Sequence, residues 1–315
     1  MERSVPSLDE GVRRRLRVRF GEEIDTWLGE VPAVLATLGE RWGLEFGALI
    51  PRGSMSVVVR CEMTGGRSAV LKIAPDRDRL RLEAAALASW ATPHVPAVYA
   101  VDAAVGALLT EAIEPGVMLS EASGYPSMER VAELVSSLHA HGCSSAALPP
   151  AAAFPPLTQF VGYLFDSWAR QRHLHPELAE LVPEDLFERG RRFAARLAAE
   201  SSATVVLHGD LTPVNVLDGG DRRGLVAIDP GPCLGDPAYD AIDLLVWRAG
   251  DIATIEARAG LLATAMGVDG ARLLDWCMAF AGMFALDLAG PGQRHADNWR
   301  DRAEPFLRLA AQVPS

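Results

Sequence analysis

The stretch His208-Gly-Asp-Leu-Thr-Pro-Val-Asn-Val-Leu217, followed by Val226-Ala-Ile-Asp-Pro-Gly231, narrows the possible folds more than any other part of the chain. Each half is a polar loop fed by an apolar run, Ala203-Thr-Val-Val-Leu207 for the first and Leu225-Val-Ala-Ile228 for the second. Runs this short and this rich in valine read as buried strands, and groups at the ends of buried strands are held still. The loops carry what phosphoryl transfer needs: a carboxylate beside an acceptor hydroxyl and oxygen ligands for Mg²⁺. Asp210 and Asn215 keep the Asp-x-x-x-x-Asn spacing of a catalytic loop, with Asp210 as base and Asn215 as metal ligand. Asp229 then stands where the carboxylate that chelates Mg²⁺ is expected. Taken alone, His-Gly-Asp arises by chance and Asp-Pro-Gly is an ordinary turn. Their order, the intervening Asn and the apolar runs support the joint reading.

Composition supplies an independent signal, because Lys72 is the only lysine among the 30 lysines and arginines. Arginine replaces lysine readily on a solvated surface, but not where a compact ammonium must fit against phosphate oxygens. Lys72 lies in the strand-like Ser68-Ala-Val-Leu-Lys-Ile73, and Glu83 follows on a segment, Arg77 to Trp90, whose Leu80, Ala84, Leu87 and Ala88 recur at helical spacing. Glu83 is therefore the expected partner of Lys72. Upstream, Pro51-Arg-Gly-Ser-Met is a turn feeding a strand, and Gly53 and Ser54 are candidates to offer backbone N–H groups to phosphates. The pattern is neither a Walker A loop nor a full Gly-x-Gly-x-x-Gly. Downstream, Ala107-Leu-Leu-Thr-Glu-Ala-Ile113 reads as a strand entering a hinge, where main-chain groups near Glu111 and Ile113 would bind adenine.

With these pieces in place the chain resembles the aminoglycoside phosphotransferases, most of all those of the streptomycin 6-kinase and hydroxyurea-resistance type. The residues that carry the resemblance are the Lys72 strand, His208 to Leu217, Ala227-Ile-Asp-Pro230 and Gly235-Asp-Pro-Ala-Tyr-Asp240, with Val31-Pro-Ala-Val-Leu35, Arg41-Trp-Gly-Leu44 and Leu108 to Gly116 also typical. It spans roughly residues 25 to 250. The resemblance implies that Asp210 is the base, that Asn215 and Asp229 bind Mg²⁺, that Lys72 contacts the α- and β-phosphates of ATP, and that Asp236 braces the loop. Two departures bear on the acceptor: Thr212 replaces a common histidine, and Pro230-Gly-Pro-Cys233 replaces a more usual Pro-Lys-Gly.

The expected architecture is α+β, a bilobal protein-kinase-like fold with a small mixed N-lobe built on an antiparallel sheet and a larger α-rich C-lobe. The division falls between residues 1–112, holding the N-terminal helices and nucleotide-binding lobe, and 113–315. Helical spacing is expected over Ile24–Trp42, Ser127–His139, Leu157–Arg172, Glu184–Ala199, Asp240–Arg248, Ile252–Ala265 and Ala271–Ala289, with a hairpin turn at Thr64-Gly-Gly66 and a loop at Pro149–Pro156.

A formal net charge of −11 disfavours nucleic acid, which needs a basic face. It suits a small cationic substrate, or simply solubility. The run Arg13 to Arg19 reads as a solvated helix face flanked by Asp9, Glu10, Glu22 and Glu23. Trp276–Leu286 is too short to span a bilayer. Without a signal-like stretch or a Cys-x-x-Cys pair, the cysteines at 61, 143, 233 and 277 read as reduced thiols in a cytoplasm. The remaining histidines read as structural or exposed, and Asp243, Asp287 and Asp297 as solvated helix positions.

The activity expected is ATP- and Mg²⁺-dependent phosphorylation of a small cationic hydroxyl compound. The alternatives are a kinase for another small alcohol, a protein kinase, disfavoured for want of an Ala-Pro-Glu segment, and a nucleotide-binding module without turnover. The lysine argument makes a test of its own. Lys72→Arg is expected to lose far more activity than an Arg→Lys exchange within Arg13 to Arg19, and full activity in steady-state assays of Lys72→Arg would dispose of it.

Overall fold

In the computed structural model, which describes residues 5–51, 55–142, 154–201, 203–290 and 299–314, the chain divides into two compact units. The first comprises Met1–Gly116 and Asp218–Ile228, and the second Val117–Leu217 and Asp229–Ser315. The chain thus leaves the first unit after Gly116 and returns to it for eleven residues. That return is absent from a simple division at residue 112.

Alternation of apolar side chains builds the first unit. Helices α1 (Glu10–Phe20) and α2 (Ile24–Trp42) precede strands β1 (Leu44–Leu49), β2 (Val57–Met63) and β3 (Arg67–Ile73), helix α3 (Arg77–Ser89), and strands β4 (Val98–Asp102) and β5 (Ala107–Glu111). The five strands form one antiparallel sheet in the order β1-β2-β3-β5-β4. Because successive strand residues point to opposite faces, Val57, Val59 and Cys61 of β2, Ala69, Leu71 and Ile73 of β3, and Ala107 and Leu109 of β5 share one buried face. They join Val12 and Leu16 of α1 and Leu28, Val31, Leu35 and Leu38 of α2 in a single core. The α2 residues recur at the three- and four-residue spacing of a helix stripe. Gly43, left-handed at φ 65°, ends α2, and its carbonyl accepts the Thr64 N–H and hydroxyl from the β2–β3 turn. On α1 the arginines surround the two core residues, and Arg17 pairs with Glu10 and Asp25 at the surface.

The second unit is helical. Helices α4 (Met128–Gly142), α5 (Leu157–Leu174), α6 (Pro176–Leu181) and α7 (Glu184–Ala199) lead to β6 (Val205–Leu207) and β7 (Val216–Asp218), and the chain changes unit between residues 217 and 218. The returning segment contains α8 (Gly220–Arg223) and β8 (Leu225–Ala227). It is followed by β9 (Cys233–Gly235) and helices α9 (Ile242–Val246), α10 (Ile252–Met266), α11 (Gly270–Leu288) and α12 (Trp299–Ala311). The centre of α11 is apolar all round, with Leu273, Trp276, Phe280 and Leu286 buried, as expected of a helix covered on every side. Its rings meet Phe165 of α5 and Tyr239 edge-on, with Phe165–Phe280 and Tyr239–Phe280 centroids both 5.5 Å apart, a favoured aromatic geometry.

Most expected elements are present, α2 and α7 with the same limits. The helix expected from Asp240 is a 3-10 turn followed by the short α9, and α6 and α12 were not expected from the spacing. Among the described residues no helix is long and apolar enough to cross a membrane. Cys61, Cys233 and Cys277 are buried free thiols, while Cys143 lies outside the described residues, as do residues 149–153 of the expected loop.

Leu35 has no exposed surface and sits under the sheet. Leu35→Ala should therefore cost about 2–5 kcal/mol, read as a lower urea midpoint for the first unit. An unchanged midpoint would contradict the packing described.

Candidate active site

In the first unit, strand alternation decides where Lys72 points. Leu71 and Ile73 face the core under α2, so Lys72 projects from the opposite face of β3. Helix α3, capped where the Asp76 side chain accepts the Arg79 N–H, carries Glu83, which is 4% exposed. Lys72 Nζ lies 2.8 Å from both carboxylate oxygens of Glu83. A buried carboxylate is tolerated when so paired, and losing one partner strands the other charge. The expected partnership is therefore present.

The adenine positions are more constrained. The Glu111 N–H donates to Ala97 O at 2.9 Å, and the Glu111 carboxylate accepts the Ala97 N–H and pairs with Arg223 at 2.7 Å. Ile113 is buried just beyond β5. Gly53 and Ser54 lie outside the described residues.

In the second unit, β6 pairs antiparallel with β9, with Leu207 opposite Cys233, so the loop leaving β6 and the loop entering β9 emerge at the same end. Gly209, at φ 78°, brings them together: any side chain there would collide with the Gly231 carbonyl oxygen. Only glycine meets both demands. Asp210 and Asp229 are thus carried on loops in contact. Asp229 itself has φ 57°, a conformation uncommon outside glycine and retained where surroundings enforce it.

Asp240, fully buried at its carboxylate, holds the loop that carries Asp210. It accepts the His208 N–H at 2.7 Å, the Gly209 N–H at 2.8 Å, and meets His139 Nε2 at 3.1 Å. Bracing was expected of Asp236, but Asp236 instead accepts from Arg272 Nε at 2.6 Å, Trp276 Nε1 at 2.8 Å and the Ala238 N–H, tying its own turn to α11. Gly235-Asp-Pro-Ala-Tyr-Asp240 contains both acids. Nothing in the motif says which reaches the loop. His139 is likewise more than a helix-closing residue, since it completes the shell around Asp240.

Asn215 donates its amide to both the main-chain carbonyl of Asp210 and Asp210 Oδ2, each at 2.9 Å. The two residues of the Asp-x-x-x-x-Asn spacing therefore meet directly. This arrangement orients the Asp210 carboxylate and leaves the Asn215 oxygen unspent. An amide oxygen and the Asp229 carboxylate are hard donors of the kind Mg²⁺ takes, and Mg²⁺ characteristically fills its other positions with water and phosphate oxygens. Among the described residues no group of three or more His, Cys, Asp or Glu could hold a metal. The Asn215 oxygen and the Asp229 carboxylate would suit a Mg²⁺ ion by their chemistry. The Thr212 hydroxyl, between Asp210 and Asn215, is buried without a hydrogen-bond partner.

Two acids read from sequence as solvated differ in position. The Asp243 carboxyl is pushed up to about 7, first by burial and then by the carboxylates of Asp210, Asp287 and Asp240. Spacing along α9 gives no hint of this, because the crowding comes from residues distant in sequence. The Asp287 carboxyl is also raised by desolvation, against the opposing charge of Arg302, although the residue is largely open to solvent. Asp297 lies outside the described residues. Burial raises the Cys233 thiol beyond physiological titration, so it is inert despite its place beside the loops.

A family model described as aminoglycoside/hydroxyurea antibiotic resistance kinase matches residues 41–290. Streptomycin 6-kinase of Streptomyces glaucescens is 28% identical over 82% of this chain and 82% of its own length. Hydroxyurea phosphotransferase of Kitasatospora aureofaciens is 28% identical over 79% of this chain and 70% of its own. Among solved structures, a thermostable mutant of an aminoglycoside phosphotransferase in complex with ADP and hygromycin B superposes with a TM-score of 0.54 at 17% identity, covering 87% of this chain and 98% of that one. This likeness establishes the protein-kinase-like fold.

Asp243 sets a pH dependence whose sign follows from its raised folded value. An unfolded aspartate titrates near 3.9, so between about pH 4 and 7 the folded protein keeps a proton that the unfolded chain releases. Stability then falls as pH rises through this window. Asp243→Asn should remove that loss, raising the thermal midpoint relative to the parent at pH 8 but not at pH 4. Equal midpoint differences at both values would show that Asp243 is not the source.

Proposed function

The chain belongs to the aminoglycoside/hydroxyurea antibiotic resistance kinases, and from that premise we propose that it moves the γ-phosphoryl group of ATP, with Mg²⁺, to a hydroxyl of a small cationic antibiotic of streptomycin type. It is a phosphotransferase of aminoglycoside or related antibiotic type. The nucleotide, the metal and the acceptor are the finer reading.

The observation that carries the reading is the direct contact of Asn215 with Asp210 on a loop clamped by Asp240. The amide donor on Oδ2 sets the orientation in which the Asp210 carboxylate would meet the hydrogen bond of an acceptor hydroxyl. Asp210 would take the proton as the acceptor oxygen attacks the γ-phosphorus and ADP leaves. Lys72, steadied by Glu83, would contact the α- and β-phosphates. Asn215 Oδ1 and Asp229 would hold Mg²⁺, which when bound neutralises phosphate charge. Base assistance contributes about 10²–10⁴ in rate, and fixed charge with positioning supplies much of the remainder. The excess of acidic residues favours capture of a guanidinium- or amine-bearing acceptor. The equal identity to a hydroxyurea phosphotransferase keeps a small neutral N-hydroxy acceptor as the second reading.

Incubation with ATP, Mg²⁺ and a panel of streptomycin, other aminoglycosides, hydroxyurea and simple amino sugars, read by ATP consumption and product mass, separates these. A phosphorylated aminoglycoside is expected, and product from hydroxyurea alone would favour the second reading. Asp210→Ala and Asp210→Asn should each lower kcat by about 10²-fold or more while nucleotide still binds. Unchanged turnover in both would remove Asp210 from its role.

A further inference from the structure

Within the first unit the returning segment Asp218–Ile228 is tied down by a concentrated set of polar contacts, and Asp229 is the next residue in the chain. Arg223 lies at the centre. Its Nε and Nη2 donate to Pro93 O at 2.8 and 2.6 Å, Nη2 donates also to Val95 O at 2.8 Å, and Nη1 pairs with Glu111 at 2.7 Å. One guanidinium thereby grips two carbonyls of the loop between α3 and β4 and a carboxylate at the end of β5. His94 adds a second grip on β8. Its Nδ1 lies 2.7 Å from Leu225 O, an acceptor, so Nδ1 carries the proton, and the Ala227 N–H donates to His94 O at 2.8 Å. Gly219 and Gly224 close the segment on itself through Gly219 N to Gly224 O and Gly224 N to Gly220 O.

We infer that Arg223, backed by Glu111 and His94, is a positioning residue for Asp229. The segment carries no residue assigned to the chemistry, and a surface excursion between two loops has no need of a part-buried, fully engaged guanidinium. Anchoring it fixes the backbone two residues short of Asp229, at Ala227, and Asp229 has a backbone conformation that must be imposed from outside. Only a planar fork serves two carbonyls and a carboxylate at once; an ammonium has the charge without the geometry. The inference rests on the reading of Asp229 as a metal ligand.

The test uses Arg223→Lys, with Glu111→Gln as the milder companion if Arg223→Ala does not fold, and Asp229→Asn as reference. Mn²⁺ binding to the full-length enzyme with a non-hydrolysable ATP analogue, followed by electron paramagnetic resonance, should weaken about tenfold in Arg223→Lys, the lower end for residues that orient metal ligands. In Arg223→Lys, nucleotide affinity without metal and the acceptor KM should stay within about twofold, as expected when one interaction is removed selectively. Amide exchange over residues 218–228 should quicken. Parental Mn²⁺ affinity in both Arg223→Lys and Glu111→Gln, with Asp229→Asn impaired, overturns the inference alone. Parental Mn²⁺ affinity in Asp229→Asn overturns the metal-ligand reading beneath it.

Discussion

A single buried carboxylate organises the loop that carries Asp210. Asp240 accepts two consecutive main-chain N–H groups, from His208 and Gly209, and contacts His139. Hydrogen bonds to a charged group contribute about 1.5–3 kcal/mol each, and an unmatched buried charge costs more than a neutral group would. The loop backbone therefore has little freedom to leave Asp240. Asn215 then acts on a loop whose start is already fixed, orienting the Asp210 carboxylate from five residues further on. The orientation of the Asp210 carboxylate is the last link of a chain of contacts that begins on α4 and the turn before α9.

The same logic of stationary supports recurs in the other unit with different elements. Lys72 gains its direction from the pleat of β3, since Leu71 and Ile73 must face the α2 core, and Glu83 gains its own from an N-capped helix. Neither side chain was left to solvent to orient. The cost is one buried and one part-buried charge, which is acceptable because they pair at 2.8 Å. The returning segment shows the principle a third time, with Arg223 and His94 holding a strand that immediately precedes a candidate metal ligand.

Electrostatics distinguish the two units. The first pairs Lys72 with Glu83, whereas in the second burial first, and then the carboxylates of Asp210, Asp287 and Asp240, push the Asp243 carboxyl up to about 7. Concentrated negative potential of this kind is what a cationic acceptor would neutralise on binding, and it disfavours anionic partners.

Much of the fold and of the chemistry could be read from the chain. The limits of α2 and α7, the hairpin turn at Thr64 and the strands carrying Lys72 and Asp210 follow from period and turn chemistry, which are local properties. The partnership of Lys72 with Glu83 was legible because spacing along a strand and a helix restricts reach, whereas the bond from Asn215 to Asp210 became visible only in the structure. Three further features were not legible. Asp236 and Asp240 are equivalent within their motif, and only packing against α11 or the loop separates them. The Asp243 carboxyl owes its raised value first to burial and then to carboxylates from the loop after β6, α11 and the turn before α9. The return of Asp218–Ile228 to the first unit depends on Arg223 finding carbonyls about 130 residues earlier. Sequence alone settled which residue types and local elements make a phosphotransferase of this family. Tertiary structure alone decided which carboxylate braces, which is protonated and which segment anchors, because these depend on burial and on contacts between residues far apart in the chain, where periodicity carries no information.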